Sequence, residues 1–236
     1  MCSSDLHARV GGRGEQLEVH LSTDSATVEC EVSQALRVLN SAGGGLYRGW
    51  HGGDRGFLEP DLGQYDTPCE VFSWCGGAVV LSAEYLRDAG IFDPTYFLYY
   101  EDFDLAWRGR QLGWTYRYEP SVSVLHEHAY SSKAGSVFFN FWVNRNRRLT
   151  LVKNAPRAVA FNAIVGFYVK PVRVLAVHVL ARLRRLRPPS PSVVKAELEA
   201  IWSFTSALPA AIAARRRMRR RRVVGDAAIQ EWMLTK

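Results

Sequence analysis

The chain has 236 residues and a net charge of +7, and 47% of its residues are hydrophobic. That hydrophobic share is ample for a packed core and excludes disorder throughout, and the length suits one domain with an appendage. The charge is divided: residues 1–149 carry 13 Lys/Arg against 19 Asp/Glu, net −6, whereas residues 150–236 carry 17 against 4, net +13.

In chain order, residues 1–34 form an N-terminal segment with weak alternation, as in Leu17-Glu18-Val19-His20-Leu21 and Ala26-Thr27-Val28-Glu29-Cys30. This predicts two or three short strands and a β insert. The opening Met1-Cys2-Ser3-Ser4-Asp5-Leu6-His7 is similar to a translated sequencing-adapter peptide, so the chain is expected to be a truncated product, with a native N-terminal tail as the alternative. Residues 40–70 are rich in Gly, Asp and Pro and are expected to be loops, with the glycines at 43–45 and 52–53 as turns. Val71 to Ser82 reads as a buried strand, and Ala83 to Ala89 as a short helix stopped by Gly90. Glu101 to Leu112 reads as a helix that opens on acids, and Trp114–Tyr118 and Ser121–His126 as strands around Pro120.

Gly135 to Val152 predicts a helix with an aromatic face of Phe138, Phe139, Phe141 and Trp142, read as core packing. Its Arg145, Arg147 and Arg148 suit phosphate groups, with ion pairs to the acidic half as the favoured use. Tyr130 to Ala134 reads as either a lid or a plain surface loop. From residue 156 apolar blocks alternate with Lys170, Arg173, Arg182, Arg184, Arg185 and Arg187. After the Pro188–Pro191 linker, Val193 to Ala214 reads as a second amphipathic helix that leads into the arginine run at 215–222.

The densest chemistry lies at Glu101-Asp102-Phe103-Asp104, answered by His126-Glu127-His128. Three carboxylates in an aromatic setting are costly unless paired, bound to a metal or used in chemistry. Acids at a helix start are also ordinary structural devices, and spacing alone does not separate the two.

The ordered series Cys75-Gly76-Gly77-Ala78, Gly90-Ile91-Phe92-Asp93, Tyr96-Phe97, Tyr100-Glu101-Asp102-Phe103-Asp104-Leu105, Arg108, Gly113, Pro120, His126, Ser131-Ser132 and Arg145-Asn146-Arg147 resembles the acceptor half of a family 2 glycosyltransferase. The nearest likeness is to the bacterial rhamnosyl- and galactofuranosyl-transferases of cell-wall polysaccharide synthesis. Asn40-Ser41-Ala42-Gly43 and Asp54-Arg55-Gly56 resemble the actinobacterial branch. The resemblance covers roughly residues 35–155 and implies an α/β fold, a partial GT-A-like domain over 35–155. A basic, helical C-terminal extension over 156–236 would follow it.

By that resemblance Asp102 is the catalytic base, with Glu101 beside it. His126 is a metal ligand for Mg²⁺ or Mn²⁺. Gly76, Gly77, Ala78, Asp104 and Arg145 line or support the substrate site. Such an enzyme transfers a sugar with inversion from a nucleotide-sugar donor to a polysaccharide or lipid-linked acceptor. No Asp-x-Asp occurs before residue 54, nor any Gly-x-Gly-x-x-Gly or Walker-type motif, so the donor half is expected to be missing.

A glycoside hydrolase is disfavoured, because adjacent Glu101 and Asp102 cannot face each other across a bond. The cysteines Cys2, Cys30, Cys69 and Cys75 lack Cys-x-x-Cys spacing and are expected as free thiols, although Cys69 and Cys75 are close enough in sequence to meet across a turn. There is no signal peptide core and no run of ~18 apolar residues. The expected location is therefore cytoplasmic, peripheral on the inner face of the plasma membrane. There residues 156–236 would meet anionic lipid or pack on the acidic half. The alternative is a non-catalytic module that binds anionic membrane or nucleic acid through its arginines, although no nucleic-acid motif is present.

Overall fold

A computed structural model describes residues 21–23, 26–28, 37–126, 136–184 and 191–235. The described residues build a mixed α/β molecule of six helices and small sheets. β1 (Leu21–Thr23) and β2 (Ala26–Val28) pair antiparallel, as a hairpin would. The rest of residues 1–36, including Cys2 and Cys30, lies outside the described residues.

The glycine-rich stretch expected as loop contains two strands. β3 (Gly44–Tyr47) pairs antiparallel with β4 (His51–Asp54). Glycine serves packing here: a Cβ on Gly52 would lie 2.5 Å from the Phe103 ring. A glycine inside a strand often marks such a close approach. β5 is only Cys69–Val71, paired antiparallel with β6 (Tyr116–Tyr118). The expected buried strand from Val71 to Ser82 is thus corrected. Val71 to Trp74 is buried, but Gly76 to Val80 is exposed, since no described strand lies beside it to take its hydrogen bonds. Ser121 to His126 is likewise not a strand. Cys69 and Cys75 are free thiols.

α1 (Ala83–Ala89) begins where the Ser82 hydroxyl accepts from the Tyr85 N–H and ends at Gly90. α2 (Glu101–Gln111) is the central element. Phe103 and Trp107, four residues apart, face one cluster with Leu46 and Phe72, while Leu105 and Ala106 face a second with Val71, Trp74 and Tyr116. Burial on both sides, rather than one apolar stripe, is why this helix has mixed periodicity. Arg110 crosses between the sheets and α2, donating to the Phe72 and Val71 carbonyls and the Glu70 carboxylate, with its guanidinium 4.2 Å over the Trp232 ring.

α3 (Val137–Asn154) supplies Leu149 and Val152 to the first cluster. α4 (Arg157–Arg184) and α5 (Pro191–Arg221) pack on it, and residues from 156 onward contribute Phe167, Phe204, Ala207 and Ala211 to that same core. Phe167 stacks on Phe204 at 4.0 Å. α5 runs unbroken through the arginine run, beyond the predicted end at Ala214. Arg215 donates to the Val152 and Ala155 carbonyls, Arg219 and Arg222 pair with Asp226, and Arg221 with Asp88. α6 (Asp226–Glu231) then returns the chain, and β7 (Met233–Leu234) joins β3 in parallel to give the order β4-β3-β7. No described helix is long and apolar enough to cross a membrane.

Candidate functional site around Gly76 and Gly77

Asp102 stands in the first turn of α2, where the helix end favours a negative charge. Its Oδ2 accepts from the Gly76 N–H at 2.9 Å and its Oδ1 from the Phe103 N–H at 2.7 Å. A Cβ on Gly76 would lie 3.3 Å from Asp102 Oδ2, and a Cβ on Gly77 would lie 3.4 Å from the His126 ring. Consecutive glycines in one exposed backbone turn therefore lie against the carboxylate and the imidazole. Ala78 closes that turn by donating to the Cys75 carbonyl. Of the sequence-predicted set, the structure gathers Asp102, Glu101, Gly76, Gly77, Ala78 and His126 here. His128 and the stretch from Tyr130 to Ala134 lie outside the described residues.

Burial pushes the Asp102 carboxyl above its ordinary value, the Gly76 and Phe103 amides pull it back, and the charge of Asp54 adds to the rise. Glu101 is also raised, by burial and then by the neighbouring Asp102 charge. Among the described residues its buried Oε2 has no hydrogen-bond partner. The Cys75 thiol hydrogen-bonds to Asp54 and is pushed up to about 11, chiefly by burial, so it is not a nucleophile at neutral pH. Asp54, at the end of β4, is the site residue that sequence reasoning passed over. An acid at a strand end inside a glycine-rich stretch is a faint signal, and only the pairing of β3 with β4 carries it to Asp102.

Asp104 faces the opposite way. It is fully buried and accepts from Lys153 Nζ at 2.6 Å, Arg108 Nε at 3.0 Å and Asn154 Nδ2 at 2.8 Å, with the Tyr96 hydroxyl at 3.2 Å. Burial alone would raise its carboxyl, but Lys153 and Arg108 outweigh that and hold it below the ordinary value. The substrate role expected for Asp104 is corrected on this ground: it fastens α2 to α3 and reaches no surface. Arg145 is corrected likewise. It is buried, donates to the Thr95 and Ser203 carbonyls and to Asn146 Oδ1, and lies 5.2 Å over the Trp142 ring. Its guanidinium is spent on the fold. Arg147 and Arg148 bind the Gly49 and Ala163 carbonyls, so among the described residues none of the three forms the expected ion pair.

The segment before α2 is strained. Phe97, Tyr99 and Tyr100 take left-handed φ values of 57°, 65° and 70° without being glycine. Such conformations persist only when the surroundings over-determine them, and they gather at functional sites. The clamp is Asn146, fully buried, whose Nδ2 donates to the Tyr96, Leu98 and Tyr99 carbonyls at 2.7, 2.7 and 2.9 Å. Phe97, Tyr99, Phe138, Phe139, Phe141 and Trp142 form a half-exposed aromatic cluster beside it, not the core packing expected of the α3 aromatics.

Among the described residues no three His, Cys, Asp or Glu side chains converge as a closed metal site requires. The donors present are carboxylate oxygen and imidazole nitrogen, types that suit Mg²⁺ or Mn²⁺ when substrate phosphate and water complete the shell. No family model, curated protein or solved structure matches this chain.

Proposed function

We propose that this chain carries the acceptor side of an inverting sugar transfer from a nucleoside-diphosphate sugar to a polysaccharide or lipid-linked acceptor. The observation that carries the reading is Asp102 beside Gly76 and His126 beside Gly77 on one exposed turn, with Asp102 itself only half-buried. In the step, the acceptor hydroxyl oxygen attacks the anomeric carbon, the bond to the diphosphate oxygen breaks with its electron pair, and the hydroxyl proton passes to Asp102. A carboxyl raised above its ordinary value is a better proton acceptor at neutral pH, provided it remains ionised there. The Gly76 and Phe103 amides hold its oxygens in place. His126 would hold a divalent cation, which when bound neutralises charge on the leaving diphosphate. The likeness to family 2 glycosyltransferases supports the same assignment.

The test is transfer from nucleoside-diphosphate sugars, read as diphosphate release dependent on a polysaccharide acceptor with Mg²⁺ or Mn²⁺ present. Asp102→Asn is expected to lower the rate by roughly 10²–10⁴-fold with the fold intact. Undiminished turnover in that variant overturns the assignment.

A further inference from the structure

We infer that the outward face of α4 is the surface by which this protein lies on a lipid bilayer with acidic headgroups. α4 carries apolar residues on two faces. Its inner face gives Ala160, Ala163 and Phe167 to the core. On the opposite side Phe161, Val165, Val169, Val172, Ala176 and Leu180 follow one another at spacings of three and four, which places them in a single stripe. All six are exposed to water, the five larger ones from 42% at Val165 to 65% at Phe161. The stripe rises ~1.5 Å per residue, so it presents a long apolar edge where a surface helix would ordinarily be polar. Scattered apolar residues need no explanation, but a continuous patch marks an interaction surface.

Charge selects the occupant. α4 contains Arg157, Lys170, Arg173, Arg182 and Arg184 and no Asp or Glu. A second copy laid along the same face would bring two wholly cationic helices together, which repels. An acidic lipid surface supplies the opposite charge and an apolar layer at one depth, the two attractions an interfacial helix uses. Trp202 on α5 is also outward, 74% exposed, a residue type that settles at the headgroup level. Of the arginine run at 215–222, the obvious candidate by sequence, Arg215, Arg219, Arg221 and Arg222 are engaged with carbonyls, Asp226 and Asp88, while Arg216, Arg217 and Arg220 are exposed. α4 lies on the bilayer and does not cross it, consistent with its hydropathy.

The inference is independent of the proposed chemistry, and its readout is partition rather than turnover. The whole chain is floated with vesicles of phosphatidylglycerol and phosphatidylcholine, and with vesicles of phosphatidylcholine alone. It is expected to float with the former, and much less with the latter. Val172→Asp is expected to lower partition at least tenfold, and Val172→Ser to lower it by less, with the thermal midpoint of both unchanged because Val172 is exposed in the fold. Asp102→Asn should leave partition as it was, so that loss of transfer and loss of lipid binding are told apart. Absence of the chain from acidic vesicles overturns the inference, as does partition indifferent to Val172→Asp. Concentration-dependent self-association abolished by Val172→Asp would assign the stripe to a second copy and also overturn it. So would duplex DNA binding that replaces vesicle binding and is sensitive to the same change.

Discussion

Asp102 and Asp104 stand two residues apart on α2 and meet opposite surroundings. Asp104 turns toward α3, where Lys153, Arg108 and Asn154 surround it and keep it ionised in the interior. Asp102 turns toward the Gly76–Gly77 turn, where the Gly76 and Phe103 amides donate to it and another acid, Asp54, raises its carboxyl. One helix turn thus holds an acid buried among cations and an acid that accepts from the amide of an exposed turn. The difference is the partner: a buried carboxylate with cations serves the fold, whereas one held by amides alone at an opening retains its capacity to take a proton.

The largest expected effect breaks the structural side. Lys153→Met leaves Asp104 charged and buried with Arg108 as its remaining cationic partner, and is expected to cost about 3–5 kcal/mol in denaturant unfolding. Combining it with Asp104→Asn should cost less than the sum of the two single changes, because the pair is a unit. Asn146→Ala comes next. It strips the common donor from three carbonyls of the strained segment that leads into Asp102, and is expected to cost roughly 1–3 kcal/mol. It should also depress transfer more than stability alone explains, if the strained turn aims the acid.

A smaller effect is set by pH. Burial disfavours the charge of Asp93, but Lys153 and the Thr95 amide and hydroxyl more than offset this and pull it down to about 2. An acid with a lowered folded value contributes stability that is full above its unfolded value and is lost as pH falls through the folded one. Asp93 therefore predicts acid unfolding between about pH 4 and pH 2, Asp104 acts in the same direction, and Lys153→Met should move the transition to higher pH. The raised Asp102 has the opposite sign: protonation as pH falls from neutral favours the fold. Asp102→Asn is accordingly expected to change stability at pH 7 by less than about 1 kcal/mol. A loss as large as that of Lys153→Met would place Asp102 with the structural acids and remove the contrast.

The helices were legible because each carries its own local signal. Ser82 and Gly90 bracket α1, and acids open α2. The carboxylate and the histidine of the candidate site were legible as residue types set in order along the chain. Asp54 was not, since its strand is made of glycines whose reason is the Phe103 ring pressing on Gly52. Asp104 and Arg145 were misplaced for a related cause: sequence gives a charge its position on a helix, but not the face on which Lys153 or the Ser203 carbonyl waits.

By itself the sequence determined the mixed α/β character, the helical periods, the division of charge and the identity of the acids and histidine. Tertiary structure alone decided that β7 returns to pair with β3, that the arginine run stitches α5 to α3, α6 and α1, and that α4 keeps one apolar face in water. The physical reason is range. Capping, periodicity and helix-end charge act within a few residues, whereas a charge or an apolar stripe takes its meaning from partners that lie far along the chain, as Lys153 does for Asp104 and Phe204 for Phe167.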